Sequence, residues 1–235
     1  MGAQWKHAGR LAASNARGKA FSKVSKELII AAKSGADPGL NAKLRIAIEA
    51  AKKVSLPRET IERCIKRGSG QLDEPVNYET VTFEGFAPHR VPVIVECLTD
   101  NKNRTAPNMR SHFRKGQLAA SGAISWDFSY LGFVDATPPA GADPEVAAIE
   151  CGAQDFEPDG EGEGGFRFYT EPADLDAVSK ALSAAGWPVV ATRLGWRAKN
   201  PVTLDDAAAR AEVDAFLAEI DEDDDVQHIY VGLDG

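Results

Sequence analysis

The sequence predicts an α+β protein in three parts: a bundle of three helices, then two mixed α/β domains, one of them inserted into the other. Three observations predict it. Apolar residues recur at helical spacing from Phe21 to Ile65, and the pattern changes to short strand-like runs after Gly70. Between Leu131 and Trp196 the elements run β-α-β-β-α-β, the ferredoxin-like order, and the helix and strand beyond them have no sheet of their own to join.

Residues 1–20 read as an extended basic arm rich in Ala, Gly and Ser. A first helix is expected from about Phe21 to Ser34, with Phe21, Val24, Leu28, Ala31 and Ala32 on one face. Lys19, Lys23, Lys26 and Lys33 fall in a narrow stripe on the opposite face, at about 100° per residue. Ile30 lies in that stripe, where helix packing alone gives no reason for it. A second helix, about Leu40 to Val54, turns Leu44, Ala47, Ile48, Ala51 and Val54 inward. A third opens near Ser55-Leu56-Pro57, buries Ile61, Cys64 and Ile65, and ends with Gly68 as its C′ residue.

Strands are expected at Val81–Phe86, Val91–Leu98 and Ala123–Phe128, with a helix at Arg104–Lys115. The ferredoxin-like unit starts at Leu131 and continues through a weak helix at Pro144–Ala153, strands near Phe156 and at Phe166–Thr170, a helix at Asp174–Ala185 and a strand at Val189–Trp196. The closing helix (about Leu204 to Ile220) and strand (Val226–Val231) complete the sheet begun at Val81. The domains are therefore 1–72, then 73–130 together with 202–235, with 131–201 inserted.

The mild overall charge of −8 hides a strong asymmetry. Residues 1–70 carry fifteen Lys and Arg against five acids, whereas residues 131–235 carry six against twenty-three. A basic end joined to an acidic end suggests a polyanionic partner met in one orientation. No apolar run reaches the ~18 residues that span a bilayer, and the N-terminus lacks a signal peptide's apolar core. The absence of acids before Glu27 also fits a transit peptide, but the helical pattern from Phe21 runs unbroken into a packed core. Cys64, Cys97 and Cys151 show no paired spacing and read as buried, reduced thiols. The four histidines have no metal-ligand spacing, and no phosphate-binding glycine loop or nucleophile elbow is present, so no cofactor, metal or catalytic residue is assigned.

Two constellations carry chemistry. The first is cationic: Lys6, Arg10, Arg17, Lys19, Lys23, Lys26 and Lys33, with Lys66 and Arg67 at the third helix's end. Phosphate contact needs such groups on a face that does not pack the core, and Trp5 and His7 add rings that stack on bases. The bland alternative is a helix covering its wet side, but Glu27 alone faces four lysines on the first helix. The second is the loop of Asp100, Asn101, Lys102, Asn103, Arg104 and Thr105, which leaves a strand and opens a helix, with Arg110 and Arg114 following. It reads equally as an anion site and as ordinary cap chemistry. The acids Asp221–Asp225 read as a solvated helix end rather than a calcium loop.

Several strings resemble the YebC family: Arg17-Gly18-Lys19-Ala20-Phe21-Ser22-Lys23, the third-helix ending Ile61–Gly70, Phe83-Glu84-Gly85-Phe86-Ala87-Pro88, and the distinctive Leu98–Thr105 string LTDNKNRT. Members are often called probable transcriptional regulatory proteins, and the mitochondrial relative is known as a translational activator of cytochrome c oxidase. The resemblance covers essentially the whole chain. It implies one basic all-helical domain and two mixed domains in a cytoplasmic, non-enzymatic protein, acting on DNA or in translation at the ribosome. The start at Gly2-Ala3-Gln4 and the loop Gln117–Gly122 depart from the family pattern, as in a divergent paralogue.

The expectation is a monomeric binder of nucleic acid, away from membranes, with ribosomal RNA and the ribosome favoured over promoter DNA. A protein-interaction adaptor using the acidic half, and a hydrolase using a carboxylate such as Asp100, are the rival classes. In an intramolecular variant, the basic arm folds onto the acidic half until nucleic acid displaces it.

Overall fold

A computed structural model of the chain describes residues 4–72, 77–158 and 164–234, the side chains of 4–17 and of Ala42 excepted. It forms two compact units, Met1–Ser121 with Asp205–Ile229, and Gly122–Leu204 with Tyr230–Gly235.

In the first unit the opening helix is far longer than its apolar stripe. Helix α1 spans Gln4–Ala32, so the expected extended arm is helical from Gln4 onward. Ala8, Ala12, Ala13, Ala16 and Ala20, interleaved with Arg and Lys, supply helix propensity that outweighs Gly9 and Gly18. Helix α2 (Ala42–Lys53) is capped by Asn41, whose side chain accepts from the Leu44 amide, and α3 spans Arg58–Gly68 behind Pro57. Leu28, Ala32, Leu44 and Ala51 are fully buried between the three helices, with Ile61 and Cys64 beside them. Gly68 does not turn left-handed at the end of α3; Gly70 does, at φ 74°. Gly68 is instead a point of close approach, because a Cβ there would stand 2.1 Å from the Ile29 carbonyl oxygen of α1.

Strand β1 (Glu79–Phe86) pairs antiparallel with β2 (Pro92–Thr99), from Glu79↔Thr99 to Phe86↔Pro92, around a 3-10 turn at Pro88–Arg90. Helix α4 (Lys102–His112) and the two-residue strand β3 (Gln117–Leu118) follow. The strand expected at Ala123–Phe128 is not formed, and Phe128 is instead the first residue of the next strand. Residues 123–127 turn back through a 3-10 segment at Ser125–Asp127, where the Trp126 indole N–H donates to the Ala123 carbonyl at 2.8 Å.

The second unit begins with β4 (Phe128–Ala136) and runs through α5 (Pro144–Cys151), β5 (Asp155–Pro158), β6 (Phe166–Thr170), α6 (Leu175–Ala184) and β7 (Val189–Ala198). Its sheet order is β5-β6-β4-β7 with antiparallel pairing throughout, the arrangement of a ferredoxin-like unit. Val134, Phe168, Val178, Leu182 and Trp187 fill its core against the two helices. On the other sheet face Arg193 lies 4.6 Å from the Phe133 ring centroid and Arg197 4.0 Å from that of Tyr169. The expected hairpin tip at Glu157–Gly165 falls mostly outside the described residues.

Helix α7 (Ala207–Asp221) and β8 (Val226–Val231) return the chain to the first sheet, whose order is β3-β1-β2-β8. β2 is buried along nearly its whole length, and Phe113 meets Phe216 of α7 edge to face at 5.4 Å. Cys64, Cys97 and Cys151 are free and buried.

Candidate nucleic-acid interface

Three of the four lysines in the α1 stripe turn onto the protein's own carboxylates, and Lys33 stays exposed. Lys19 and Lys23 bind the two carboxylate oxygens of Asp221 at 3.1 and 2.7 Å. Lys26, 8% exposed, donates to Asp225 Oδ1 at 3.0 Å and to the carbonyls of Leu98 and Asp224 at 3.1 and 2.6 Å. Lys33 reaches the Tyr78 carbonyl at 3.5 Å. The expectation of an open cationic wall at Lys19, Lys23 and Lys26 is corrected: the protein's own carboxylates neutralise it. Ile30, half-buried among these lysines, is accounted for, since the stripe is a second packing face of α1.

Asp225 is the centre of this arrangement. It is 3% exposed, so the solvated helix end expected for Asp221–Asp225 is also corrected. Besides Lys26, its carboxylate takes Arg104 Nη2 on both oxygens at 3.0 and 2.9 Å. The Thr99 and Thr105 hydroxyls lie 3.2 and 2.9 Å from Oδ2. Burial alone would raise the Asp225 pKa, but the hydrogen bonds from Arg104, Lys26 and Thr105 outweigh burial and hold it below the ordinary carboxylate value. Asp221 is likewise held low, against burial, by Lys23 and Lys19. Hydrogen bonding to Asp225 in turn raises Arg104.

The loop of residues 100–105 serves this cluster. Asn101 caps α4, its side chain accepting from the Arg104 amide at 3.2 Å, and Arg104 also binds Asp100 at 3.1 Å. Thr105 is fully buried. Lys102 pairs with Glu79, and Asn103 is exposed. Of the two sequence readings of this loop, the structure shows the cap, joined to an internal ion cluster that the sequence separates by 120 residues. The adjacent cleft of about 680 Å³ sets six carboxylates, Asp100, Glu219, Glu222 and Asp223–Asp225, against Lys26, Arg104 and His112. That balance repels a phosphate backbone.

The other cations lie elsewhere. The side chains of Lys6, Arg10 and Arg17, like those of Trp5 and His7, fall outside the described residues. Lys66 is exposed and Arg67 half-buried at the end of α3. Arg110 and Arg114 are exposed and make no ion pair among the described residues. Sequence reasoning passed over Lys43 and Arg45 of α2 and Arg63 of α3, all exposed. Their signal was present: each lies on the face of its helix away from the buried residues.

A basic helical N-terminal region followed by two antiparallel sheets with packed helices, the second of them ferredoxin-like, defines an α+β fold. Among the described residues no group of three or more His, Cys, Asp or Glu could hold a metal ion, and no helix is long and apolar enough to cross a membrane. Residues 3–71 match the profile described as the TACO1/YebC protein N-terminal domain, and residues 78–233 match the TACO1/YebC second and third domain. The chain belongs to the TACO1/YebC family. It is 59% identical to a probable transcriptional regulatory protein of Pseudomonas fluorescens over the full length of both, and 55% identical to one of Polaromonas sp.. It is 45% identical to another from Bdellovibrio bacteriovorus, over 99% of this chain and all of that one. The crystal structure of a conserved hypothetical protein from Aquifex aeolicus superposes with a TM-score of 0.82 at 38% identity, covering 93% of this chain and 90% of that one.

Proposed function

We propose that this protein is a nucleic-acid-binding regulator of gene expression, a binder rather than an enzyme, acting on translation through contact with RNA and the ribosome. The observation that carries the reading is the exposed cationic surface of the helical domain: Lys43, Arg45, Arg63 and Lys66 project into water after the α1 lysines have been neutralised internally. Arg110 of α4 and Arg114 just beyond it are further exposed cations of the same unit. Phosphate contact of this kind is long-range, salt-dependent and indifferent to sequence.

A second reading, a DNA-binding transcriptional regulator, is favoured by the names of the relatives. The two readings share a surface and differ in the polymer. Binding of the full chain to a ribosomal RNA fragment and to a DNA duplex of equal charge, measured across a salt series, tests both. Tighter RNA binding, weakened by a K43E/R45E/K66E triple variant that still folds, is the expected result. Preference for duplex DNA selects the second reading, and binding to neither, or binding that is flat with salt, overturns both in favour of a protein partner.

A further inference from the structure

A second cleft, of about 310 Å³, is lined by α1 and α3 and shares Ser22, Lys26 and Tyr78 with the acidic one. Two helical faces build it. Ser22, Ser25, Lys26 and Ile29 of α1 stand at positions i, i+3, i+4 and i+7, and Thr60, Arg63, Cys64 and Arg67 of α3 repeat the same spacing. Gly68 lets α3 close onto the α1 backbone, which brings the two faces together. Leu72 and the ring of Tyr78 close the remaining side.

The chemistry of this cleft is the opposite of its neighbour's. Three aliphatic hydroxyls, the Tyr78 phenol and two guanidinium groups line it, besides Lys26, and no carboxylate does so among the described residues. Lys26 belongs to both clefts: its ammonium is held by Asp225 and lies 5.7 Å from the Tyr78 ring centroid. Ser22 opens the α1 face of the cleft and Thr60 the α3 face, so each helix brings a hydroxyl to it. Arg63 is exposed at the rim. A guanidinium presents a planar fork of donors that matches phosphate geometry, and hydroxyls complete the shell.

We propose that this cleft binds a phosphate group, held by Arg63 of α3 and the Ser22 and Thr60 hydroxyls, with Tyr78 beside it as a flat surface for an attached base. The proposal deepens the nucleic-acid reading, on which it rests for its biological source. The same chemistry suits a free phosphate or nucleotide and a phosphate of a polynucleotide, so the probes separate them.

Calorimetry on the full chain would use three probes: inorganic phosphate, adenosine 5′-monophosphate, and a single-stranded oligoribonucleotide of roughly ten nucleotides, within the span of known single-strand sites. Saturable binding of the first two assigns a free phosphate or nucleotide; binding of the oligonucleotide alone assigns a backbone phosphate. In either case Arg63→Glu is expected to weaken binding about tenfold or more, about 1.4 kcal/mol, and Ser22→Ala with Thr60→Val to weaken it several-fold. Arg63 is exposed, so its replacement leaves the fold in place, and a thermal melt of each variant confirms that. Binding unchanged by Arg63→Glu, or no saturable binding of any probe, overturns the cleft. An oligonucleotide weakened by K43E/R45E/K66E but not by Arg63→Glu overturns the cleft and leaves the broader interface standing. Phosphate or mononucleotide binding without oligonucleotide binding does the reverse.

Discussion

Two rows of cations in the helical domain meet opposite fates. Lys19, Lys23 and Lys26 on α1 end on Asp221 and Asp225, residues about as far away in sequence as the chain allows. Lys43, Arg45, Arg63 and Lys66 on α2 and α3 end in water. The residue types are the same, and so is the amphipathic pattern that places them opposite an apolar face. What separates the rows is whether another element delivers carboxylates. The α1 row fastens the end of α7 and the start of β8 to the helical bundle. The α2–α3 row has no such duty and stays exposed.

The strongest way to break this comparison is to remove Lys26. Its side chain is 10% exposed and that of Asp225 4%, so the pair is buried, and deleting one partner leaves a charge that Arg104 alone must balance. Breaking a buried pair typically costs about 3–5 kcal/mol. Lys26→Ala should therefore lower the denaturant midpoint sharply, whereas Lys43→Ala should stay within about 0.5 kcal/mol of the parent, as for most surface positions. Equal, small effects at the two sites would erase the distinction.

Acid titration tests the same contrast without mutation. Asp225 and Asp221 have folded-state pKa values below their unfolded ones. A depressed carboxylate contributes stability that is complete above its unfolded pKa, about 3.9, and is lost as pH falls through the lower folded value. Unfolding free energy should thus be flat through neutrality and decline below about pH 4. In Asp225→Asn that decline should be shallower and start from a lower plateau. An identical slope in the variant would place the acid sensitivity elsewhere.

The fold was largely legible because its signals are local. The apolar spacing of Leu28, Ala32, Leu44 and Ile61 assigns three helices, and Phe166–Thr170 and Val226–Val231 were located to the residue. The errors have physical causes. Residues 1–20 read as a basic arm because Ala, Gly and Ser separate the charges, yet from Gln4 onward the alanine-rich sequence forms helix. Ala123–Phe128 has strand-like residues, but local hydrogen bonds to Ala123 and Ile124 hold it as a turn. The site was misread for a different reason. Lys26 and Asp225 each look like a surface charge in their own segment, and only the tertiary pairing of β8 beside β2 brings the second to the first. One residue did carry the hint: Ile30, an apolar side chain in the middle of a supposedly wet stripe.

Salt dependence sharpens the other row. If Lys43 and Arg45 each neutralise one phosphate, replacing both with Gln should reduce the slope of log affinity against log salt by about 0.7 per residue on single strands. The intercept should fall less than the slope suggests, because no short-range contact is lost. An unchanged slope would remove α2 from the interface. Cys97 supplies a control on structure in these experiments. Burial pushes its thiol up to about 12, and it is fully enclosed, so it should resist alkylation at neutral pH in every variant that keeps the α1 tie. Labelling of Cys97 in Lys26→Ala would report opening of the sheet beside β8.

The smallest expected effect lies at the outer end of the α1 row. Lys19 and Lys23 share Asp221, whose side chain is 48% exposed, and their own side chains are 21% and 22% exposed. Half-solvated pairs of this kind contribute about 0–1 kcal/mol because water screens them and holding long side chains costs entropy. Lys19→Ala also leaves Lys23 on the same carboxylate, so Asp221 keeps a partner. The melting temperature should move by no more than a few degrees, and the shift should shrink further at high salt. If Lys19→Ala instead destabilised as much as Lys26→Ala, the row would be a single cooperative clasp along α1. Its strength would then depend on all three lysines rather than on the buried one, and the line between an internal tie and an exposed surface would have to be redrawn at Lys19.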